Sequence, residues 1–165
     1  MSLLYPTIYV DKAYDISIET LNKFNITGVL LDVDNTLTID KGTKPDERML
    51  SWLENLRSNG IKMMIVSNGK HKRLSKFSKT LDLPCFSMAM KPLPFKLKKA
   101  ARMVADSTDN VLLIGDQIFT DILGANTCGI KSALVNPIKT ETSASFKIRR
   151  YFERGIREKL RRVIK

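Results

Sequence analysis

The stretch of sequence that decides the fold is ITGVLLDVDNT, residues Ile26–Thr36. Up to Val33 it is nearly all apolar and rich in leucine and β-branched residues, which is typical of a strand buried on both faces of a sheet. Comparable apolar runs follow along the chain at Ile61–Ser67, Cys85–Met88, Val111–Gly115 and Ile130–Val135. Because stretches with helical spacing separate these runs, the sequence predicts βαβ units and a mainly parallel, five-stranded sheet within a three-layer α/β/α sandwich.

Four helices are predicted between these strands. They are expected to begin at Pro45 and to span Lys70–Leu81, Pro94–Ala105 and Phe119–Thr127. In the first three, apolar residues recur every three or four positions, so each helix has one face for the core. The predicted buried residues are Met49, Trp52, Leu53 and Leu56 in the first helix, Leu74, Phe77 and Leu81 in the second, and Phe95, Leu97, Ala101 and Val104 in the third.

Length and composition are those of a single soluble domain. The chain has 165 residues, of which 43% are hydrophobic and 27% charged. No apolar run approaches the roughly 20 residues of a membrane-spanning helix, and the N-terminus lacks the basic start of a secretory signal. Cys85 and Cys128 lie far apart without neighbouring metal ligands, which favours two reduced thiols. The sequence therefore predicts a cytoplasmic protein.

Positive charge is concentrated in two segments. The chain carries 28 Lys and Arg residues against 17 Asp and Glu, a net charge of +11. Residues 146–165 hold nine basic and two acidic residues, and the segment from Lys70 to Lys79 adds five basic residues without an acid. Localised charge of this kind indicates anionic partners rather than general solubility.

The last twenty residues differ from the rest of the chain. Residues 1–140 are predicted to form one domain with its core in 26–135, and 146–165 a basic amphipathic helix that packs on this domain or extends from it. The predicted apolar stripe of the helix is Ile148, Phe152, Ile156, Leu160 and Val163 or Ile164. Docking on an anionic membrane, as a peripheral protein of the inner face, and packing on the sheet with the charges in solvent both remain open. Nucleic acid is less favoured because few aromatic residues accompany the charges.

Polar side chains follow four of the predicted strands. Ligands in an open parallel sheet collect at the carboxyl ends of the strands, so these side chains are expected to converge there. They are Asp32, Asp34 and Thr36 after the first strand, Ser67, Asn68 and Gly69 after the second, Lys91 after the third, and Asp116 and Asp121 after the fourth. Several carboxylates at one point repel each other unless a cation neutralises them, and all-oxygen ligands favour Mg²⁺. Lys91 and the Ser67 hydroxyl supply what a transferring phosphoryl group needs.

With these residues in order, the sequence resembles the haloacid dehalogenase (HAD) superfamily over residues 26–135. The motifs are D-x-D-x-T at Asp32–Thr36, the hydroxyl residue Ser67, the lysine Lys91, and GDxxxxD at Gly115–Asp121. The resemblance implies a HAD-like Rossmannoid fold and a phosphatase. An aspartate at position 34 resembles the phosphatases and mutases of the superfamily, whereas transport ATPases carry threonine there.

The resemblance also implies roles for these residues. Asp32 is expected to attack phosphorus and form an aspartyl-phosphate, and Asp34 to act as general acid and base. Mg²⁺ would be held by the carboxylates of Asp32 and Asp116 and the backbone carbonyl of Asp34, with Asp121 as a direct ligand or one acting through water. Ser67 would donate to the phosphoryl group and Lys91 would neutralise the nucleophile. For Thr36 a structural hydrogen bond and a site contact stay open, and Asn68 and Gly69 are expected to shape the phosphate loop or only a turn.

The chain leaves no room for a cap domain, because Leu37–Ile61 and Gly69–Met90 hold only a helix, or a helix and a short strand. An open site suits a phosphate carried on something large. Within the HAD superfamily the chain most resembles the capless YqeG-type branch of subfamily IIIA, related to mitochondrial phosphatidylglycerophosphate phosphatases, which implies a lipid head group as substrate. The alternatives are a soluble or macromolecular phosphate (on a sugar, nucleotide, nucleic acid or protein) and an RNA- or ribosome-associated binding protein that retains the fold.

Overall fold

The computed structural model of the protein describes residues 2–39, 42–139 and 144–163, apart from the side chains of 144–150 and 161–163. Its strands are β1 Ile8–Val10, β2 Gly28–Leu31, β3 Lys62–Val66, β4 Cys85–Phe86, β5 Val111–Gly115 and β6 Lys131–Val135. Its helices are α1 Ile18–Lys23, α2 Glu47–Ser58, α3 His71–Leu81, α4 Pro94–Val104, α5 Leu123–Thr127 and α6 Ala144–Val163. The six strands are parallel and lie in the order β1-β6-β5-β2-β3-β4.

The predicted three-layer sandwich is confirmed, with six strands instead of five. The additional strand is β1, which pairs in parallel with the outer edge of β6, Ile8 opposite Ala133. It was missed because three residues are too few to display a periodic pattern. A strand at this place needs little burial of its own, since β6 supplies its hydrogen bonds.

Both faces of the sheet are covered, as the nearly continuous apolar strands require. Val29 and Leu31 of β2 point into a core formed with α1, α2 and α3, whereas Leu30 between them points into a second core formed with α4 and α5. The predicted inward faces of α2 and α3 are all buried. At Gly28 the sheet and α4 touch directly, because a Cβ there would lie 2.6 Å from the side chain of Val104.

Two predicted helix starts differ from the observed ones. α2 begins at Glu47 and not at Pro45, because the Asp46 side chain caps the helix by accepting a hydrogen bond from the Met49 amide at 2.9 Å. The single helix predicted over Phe119–Thr127 is a π-helical turn over Ile118–Ile122 that continues directly into α5. Such turns are often found at functional sites.

Two residues predicted to be apolar contacts are exposed. Phe95 was expected in the core, but it lies in the first turn of α4 and is 75% exposed. Phe152 of α6 is 64% exposed, and this helix instead packs through Leu160 and Ile156 against Ile118, Ile122 and Leu134. The side chains of Ile148, Val163 and Ile164 lie outside the described residues, as does Thr140, the predicted end of the domain.

The connections that follow β2 and β3 each hold a single helix in the described residues. In the described residues, α2 is the only helix between β2 and β3, and α3 the only one between β3 and β4, so the predicted lack of a cap domain is confirmed. From β2 the chain crosses to β3 on one side and later returns to β5 on the other, which creates the crevice in which open α/β sheets bind ligands. None of the described helices combines the length and apolarity needed to cross a bilayer.

Candidate active site

The sheet itself places two carboxylates side by side at this edge. Asp32 follows β2 and Asp116 follows β5, and these neighbouring strands pair Leu31 with Ile114. The Asp32 amide donates a hydrogen bond to the Ile114 carbonyl oxygen at 3.0 Å, which carries the pairing one residue beyond the strand. Both aspartates are buried, so their positions follow from strand register rather than from mobile loops.

Lys91 connects the carboxylates of the site. Its buried ammonium lies 2.7 Å from Asp32 Oδ1 and 2.7 Å from Asp121 Oδ1. It donates hydrogen bonds to Asp32 Oδ1 and, at 2.8 Å, to the Val66 carbonyl oxygen, and its contact with Asp121 is an ion pair. Burial by itself lowers the pKa of Lys91, but the charges of Asp121 and Asp32 outweigh this effect and raise the pKa above its ordinary value. Lys91 is therefore a permanent positive charge at the centre of the site.

The carboxylates of Asp32, Asp116 and Asp121 form a buried cluster. One oxygen of each lies within 4.8 Å of the others, and Lys91 alone does not balance their charge. Burial raises the pKa of Asp32 to about 7; Lys91 opposes this rise, and the nearby negative charges of Asp121 and Asp34 add to it. A divalent cation would remove the excess negative charge, and an all-oxygen donor set suits a hard ion of the Mg²⁺ type. The residues present therefore fit a divalent metal.

Asn68 holds the loop that carries Lys91. Its side-chain nitrogen donates to the Lys91 carbonyl oxygen at 3.1 Å, and its side-chain oxygen accepts from the Lys91 amide at 2.8 Å. The peptide bond between Lys91 and Pro92 is cis. Asn68 thus joins the loop after β3 to the loop after β4, and it acts on the site through the backbone of Lys91.

A tight turn brings Asp121 back to the end of β5. In the π-helical turn the Ile122 amide bonds to the Gln117 carbonyl oxygen at 3.3 Å, and Asp121 Oδ2 accepts from the Gln117 amide at 3.0 Å. The approach is so close that a Cβ at Gly115 would lie 2.3 Å from Asp121 Cγ. Glycine is required at position 115 because any side chain there would displace the Asp121 carboxylate.

The two hydroxyl residues of the site are buried and bonded within their own turns. Ser67 directly follows β3, and its Oγ accepts a hydrogen bond from the Gly69 amide at 3.2 Å. Thr36 Oγ1 lies 3.5 Å from Asp32 Oδ2, which is a long hydrogen bond. Its acceptor belongs to the Asp32 carboxylate, so the turn and the site share this contact.

Asp34 is held from the opposite side by a residue that the sequence did not single out. Its Oδ2 lies 2.5 Å from Nη2 of Arg73, in the first turn of α3, and the two side chains are 22% and 28% exposed. Among the described residues the metal-compatible group comprises Asp32, Asp116 and Asp121, so the carboxylate of Asp34 is directed to Arg73 instead. The only sequence signal for Arg73 was its membership of the basic run behind the Ser67 loop.

Helix α6 contributes two further residues that sequence analysis missed. Glu153 is fully buried, and its Oε1 accepts a hydrogen bond from the Ile118 amide at 2.8 Å. Arg157 donates through Nη2 to the Asp116 carbonyl oxygen, and through Nη1 to Asn136 Oδ1 at 3.2 Å. Its Nε lies 3.5 Å from Glu153 Oε2. An acid and a base of α6 thus hold the backbone of the loop that presents Asp116.

Comparison with known proteins identifies the family to which this chain belongs. Residues 1–139 match the family profile described as mitochondrial PGP phosphatase. The chain belongs to this family. It is a phosphatase of the HAD superfamily, which confirms the resemblance and the activity class that the four motifs predicted.

Relatives of this PGP phosphatase family member agree in sequence or in fold. YqeG of Bacillus subtilis (strain 168), described as a probable phosphatase, is 32% identical over 157 residues, which are 95% of this chain and 91% of YqeG. Two solved structures share the fold at lower identity. The deoxy-D-mannose-octulosonate 8-phosphate phosphatase YrbI of Haemophilus influenzae, in a cobalt-bound form, is 18% identical with a TM-score of 0.51 and covers 74% of this chain and 84% of its own. YfnB of Bacillus subtilis, bound to magnesium, is 20% identical with a TM-score of 0.51, and the match covers 64% of this chain and 50% of the YfnB chain.

Proposed function

We propose that the protein is a Mg²⁺-dependent phosphomonoester hydrolase that works through an aspartyl-phosphate on Asp32, with a lipid head group such as phosphatidylglycerophosphate as substrate. The observation that carries the proposal is the position of Lys91, whose ammonium touches the Asp32 and Asp121 carboxylates within a buried acidic cluster. A purely structural ion pair would need one carboxylate, and a binding protein would have no use for a buried excess of negative charge.

Asp32 is the proposed nucleophile. One of its carboxylate oxygens attacks phosphorus, and the bond between phosphorus and the oxygen of the leaving alcohol breaks. Lys91 stays bound to the other side of this carboxylate and offsets the charge that gathers on the phosphoryl group. The Ser67 hydroxyl, just after the neighbouring strand, would donate to a phosphoryl oxygen.

Asp34 is the proposed acid and base. In the first step it gives a proton to the oxygen of the leaving alcohol, and in the second it takes a proton from the water that attacks the aspartyl-phosphate. The second step releases inorganic phosphate and restores Asp32. The contact with Arg73 holds the Asp34 carboxylate at the mouth of the site, where the leaving group must depart.

Mg²⁺ is the proposed metal, and Asp32, Asp116 and Asp121 are the side chains that would hold it, together with the Asp34 backbone carbonyl. When bound, the ion neutralises the cluster and the charge of the phosphate, so that the nucleophile can approach it. Support comes from the all-oxygen donor set and from the magnesium bound in the YfnB structure.

The lipid substrate is proposed from the open edge of the sheet and from the family. In the described residues α2 and α3 are the only helices between β2 and β4, and Asp34 and Arg73 are partly exposed, which supports access for a phosphate at the surface of a large assembly. The family description points to PGP, phosphatidylglycerophosphate. The exposed basic face of α6, with Arg154 and Lys159, would add attraction to an anionic leaflet, and the protein would then be a peripheral protein on the inner face of the membrane.

The test is phosphate release by the purified protein from a panel of substrates with Mg²⁺ or with EDTA. The panel contains phosphatidylglycerophosphate in vesicles, para-nitrophenyl phosphate, a sugar phosphate and a 5′-phosphorylated RNA. Asp32→Asn should lower release by about three orders of magnitude or more, because the nucleophile is lost. Asp46→Asn is the matched control, since asparagine caps a helix as well as aspartate does and Asp46 is outside the site.

Equal phosphate release by the wild type and Asp32→Asn on every substrate would contradict the enzyme mechanism. Preference for a soluble phosphate, with no effect of vesicles, would favour the alternative substrate class and remove the lipid proposal alone. RNA binding that is tight, weakened by salt and unchanged in Asp32→Asn, without phosphate release, would favour a binding protein.

A further inference from the structure

Four large apolar side chains are exposed beside the site. Met88, Met90, Leu93 and Phe95 are exposed by 58%, 57%, 47% and 75%. All four lie in the stretch 88–95, which also carries Lys91 into the acidic cluster. We call these four residues the apolar rim. Exposed apolar residues are ordinary when scattered, but a group of them next to a site marks a contact surface.

The backbone of the apolar rim is held in place. The Lys96 ammonium donates to the carbonyl oxygens of Ser87 and Met88 at 2.8 Å each, and the Met88 amide donates to the Gly69 carbonyl oxygen at 3.0 Å. Met88 and Met90 have positive φ values of 47° and 55°. A positive φ is uncommon for methionine, so the surrounding hydrogen bonds must hold the backbone in this conformation, in which both side chains are exposed.

The segments next to the apolar rim are rich in cations. Residues 83–105 contain five Lys and Arg residues and no Asp or Glu. Lys98, Lys99 and Arg102 are exposed along α4. A second group of cations lies across the loop, because His71 Nδ1 is 3.0 Å from Ser87 Oγ and is flanked by exposed lysines at 70 and 72. Exposed apolar side chains with cations on the neighbouring helices match the two layers of an anionic leaflet.

We propose that the apolar rim docks this protein onto an anionic lipid bilayer, with the rim inserted among the lipids and the cations of α3 and α4 against the head groups. The inference rests on the proposed lipid substrate, whose phosphate would then lie level with Lys91. A second copy of the chain fits the surface less well, since it brings the same cations and a net charge of +11 to the contact. The geometry thus assigns docking to a different region from the α6 helix.

The experiment is sedimentation of the protein with vesicles of phosphatidylcholine alone or with about a third of phosphatidylglycerol, a fraction that supplies the negative surface potential. The test variant is Leu93→Ser with Phe95→Gln. Leu93 is the N-cap of α4 and makes no side-chain cap, so serine is suited to this place, and glutamine is compatible with an exposed helix position. The matched control is Phe152→Gln, which removes an equally exposed aromatic ring from α6.

The wild type and Phe152→Gln should bind the anionic vesicles, and binding should weaken as salt is added. The affinity of the double variant for these vesicles should fall by about tenfold or more, because two large apolar side chains no longer enter the bilayer. Its turnover of para-nitrophenyl phosphate should stay within about twofold of the wild type, since neither residue touches the acidic cluster. Equal binding by all three proteins, or a loss in Phe152→Gln alone, would overturn the proposal.

Further outcomes distinguish a failure of the docking surface from a failure of the proposed lipid substrate. A wild type that is dimeric by light scattering, with a monomeric double variant and no vesicle binding in either, would make the rim a contact between copies and overturn the docking role. Vesicle binding is also measured with the Asp32→Asn variant, because binding to the bilayer does not depend on catalysis. If Asp32→Asn binds vesicles but the wild type does not hydrolyse the lipid, the proposed lipid substrate is wrong and the docking surface stands. If the wild type hydrolyses the lipid without binding vesicles, the docking surface is wrong and the lipid substrate stands.

Discussion

Helices α3 and α6 are both amphipathic and rich in lysine and arginine, and each directs one arginine to the site. Arg73 of α3 pairs with the Asp34 carboxylate at the open edge, and both side chains are partly exposed. Arg157 of α6 lies behind the site, where it binds the Asp116 carbonyl oxygen and faces the fully buried Glu153. Two basic amphipathic helices therefore contribute to the same site in different ways.

The difference in burial decides what each arginine contributes. A partly exposed ion pair has a small net effect on folding, because water competes for both partners. A buried pair whose atoms also satisfy backbone groups is costly to break, because the remaining partner keeps its charge without compensation. Arg73 should therefore matter for the reaction more than for stability, and the Glu153–Arg157 pair for both.

The largest effect is expected for Glu153→Ala. The change leaves the Ile118 amide without its buried acceptor and the Arg157 guanidinium without its buried counter-charge, so the free energy of unfolding should fall by about 3 kcal/mol. The loop that presents Asp116 should also lose its support, which should weaken metal binding. Urea denaturation measures the first effect, and the rise in melting temperature with added Mg²⁺ measures the second.

Glu158→Ala on the same helix is the control for this prediction. Its carboxylate lies 2.9 Å from Arg154 in an exposed pair, so its removal should cost about 0.5 kcal/mol or less. If both variants unfold at the same urea concentration and respond equally to Mg²⁺, α6 does not support the catalytic loop.

An intermediate effect is expected for Arg73→Met. Loss of the charged partner of Asp34 should lower the rate of phosphate release by about tenfold, the order expected for one charge-assisted hydrogen bond. The free energy of unfolding should change by about 1 kcal/mol or less. Lys76→Met removes a charge from the same helix at an exposed position and should leave the rate unchanged. Equal rates in all three proteins would mean that Arg73 does not act on Asp34.

The strand ends were predictable from the sequence because strand register alone places them. Asp32 and Asp116 each follow a buried apolar run, and parallel strands bring such residues to one edge. Lys91 was also predicted from its position after the third strand, but its contacts with both Asp32 and Asp121 depend on the loop that Asn68 holds. The partners that arise from distant helices were not predictable: the Glu153 contact with Ile118 spans 35 residues, and an acid in a basic helix is ordinarily solvated.

The incorrect predictions have a common physical origin. Phe95 has the helical spacing of a core residue, but it lies in the first turn of α4, before the helix reaches the sheet. Ile8–Val10 forms a strand only because β6 offers it a free edge. Periodicity describes one element at a time, whereas burial and edge pairing depend on what lies opposite.

The smallest effects are expected from glycine substitutions in the two helices, one that removes a glycine from α6 and one that introduces a glycine at the end of α3. Gly155 lies in the middle of α6 with no atom near its Cβ position, so Gly155→Ala should raise the free energy of unfolding by about 0.5–1 kcal/mol. In α3 the reverse change is expected to help, because Asp82 ends the helix with a φ of 50° that glycine adopts more easily. Urea midpoints of Gly155→Ala and Asp82→Gly check both signs, and a fall in either contradicts the assignment for that helix.

The ammonium of Lys91 also has a consequence for how the protein comes to be active. Its two hydrogen-bond acceptors and its second ion-pair partner belong to residues 32, 66 and 121, which lie in separate segments of the chain. Each contact closes a long loop, and long-range closures of this kind are made late, after the local helices have formed. A partly folded chain therefore holds isolated aspartates but no reaction centre, and catalytic competence arises in one concerted event when the topology is complete.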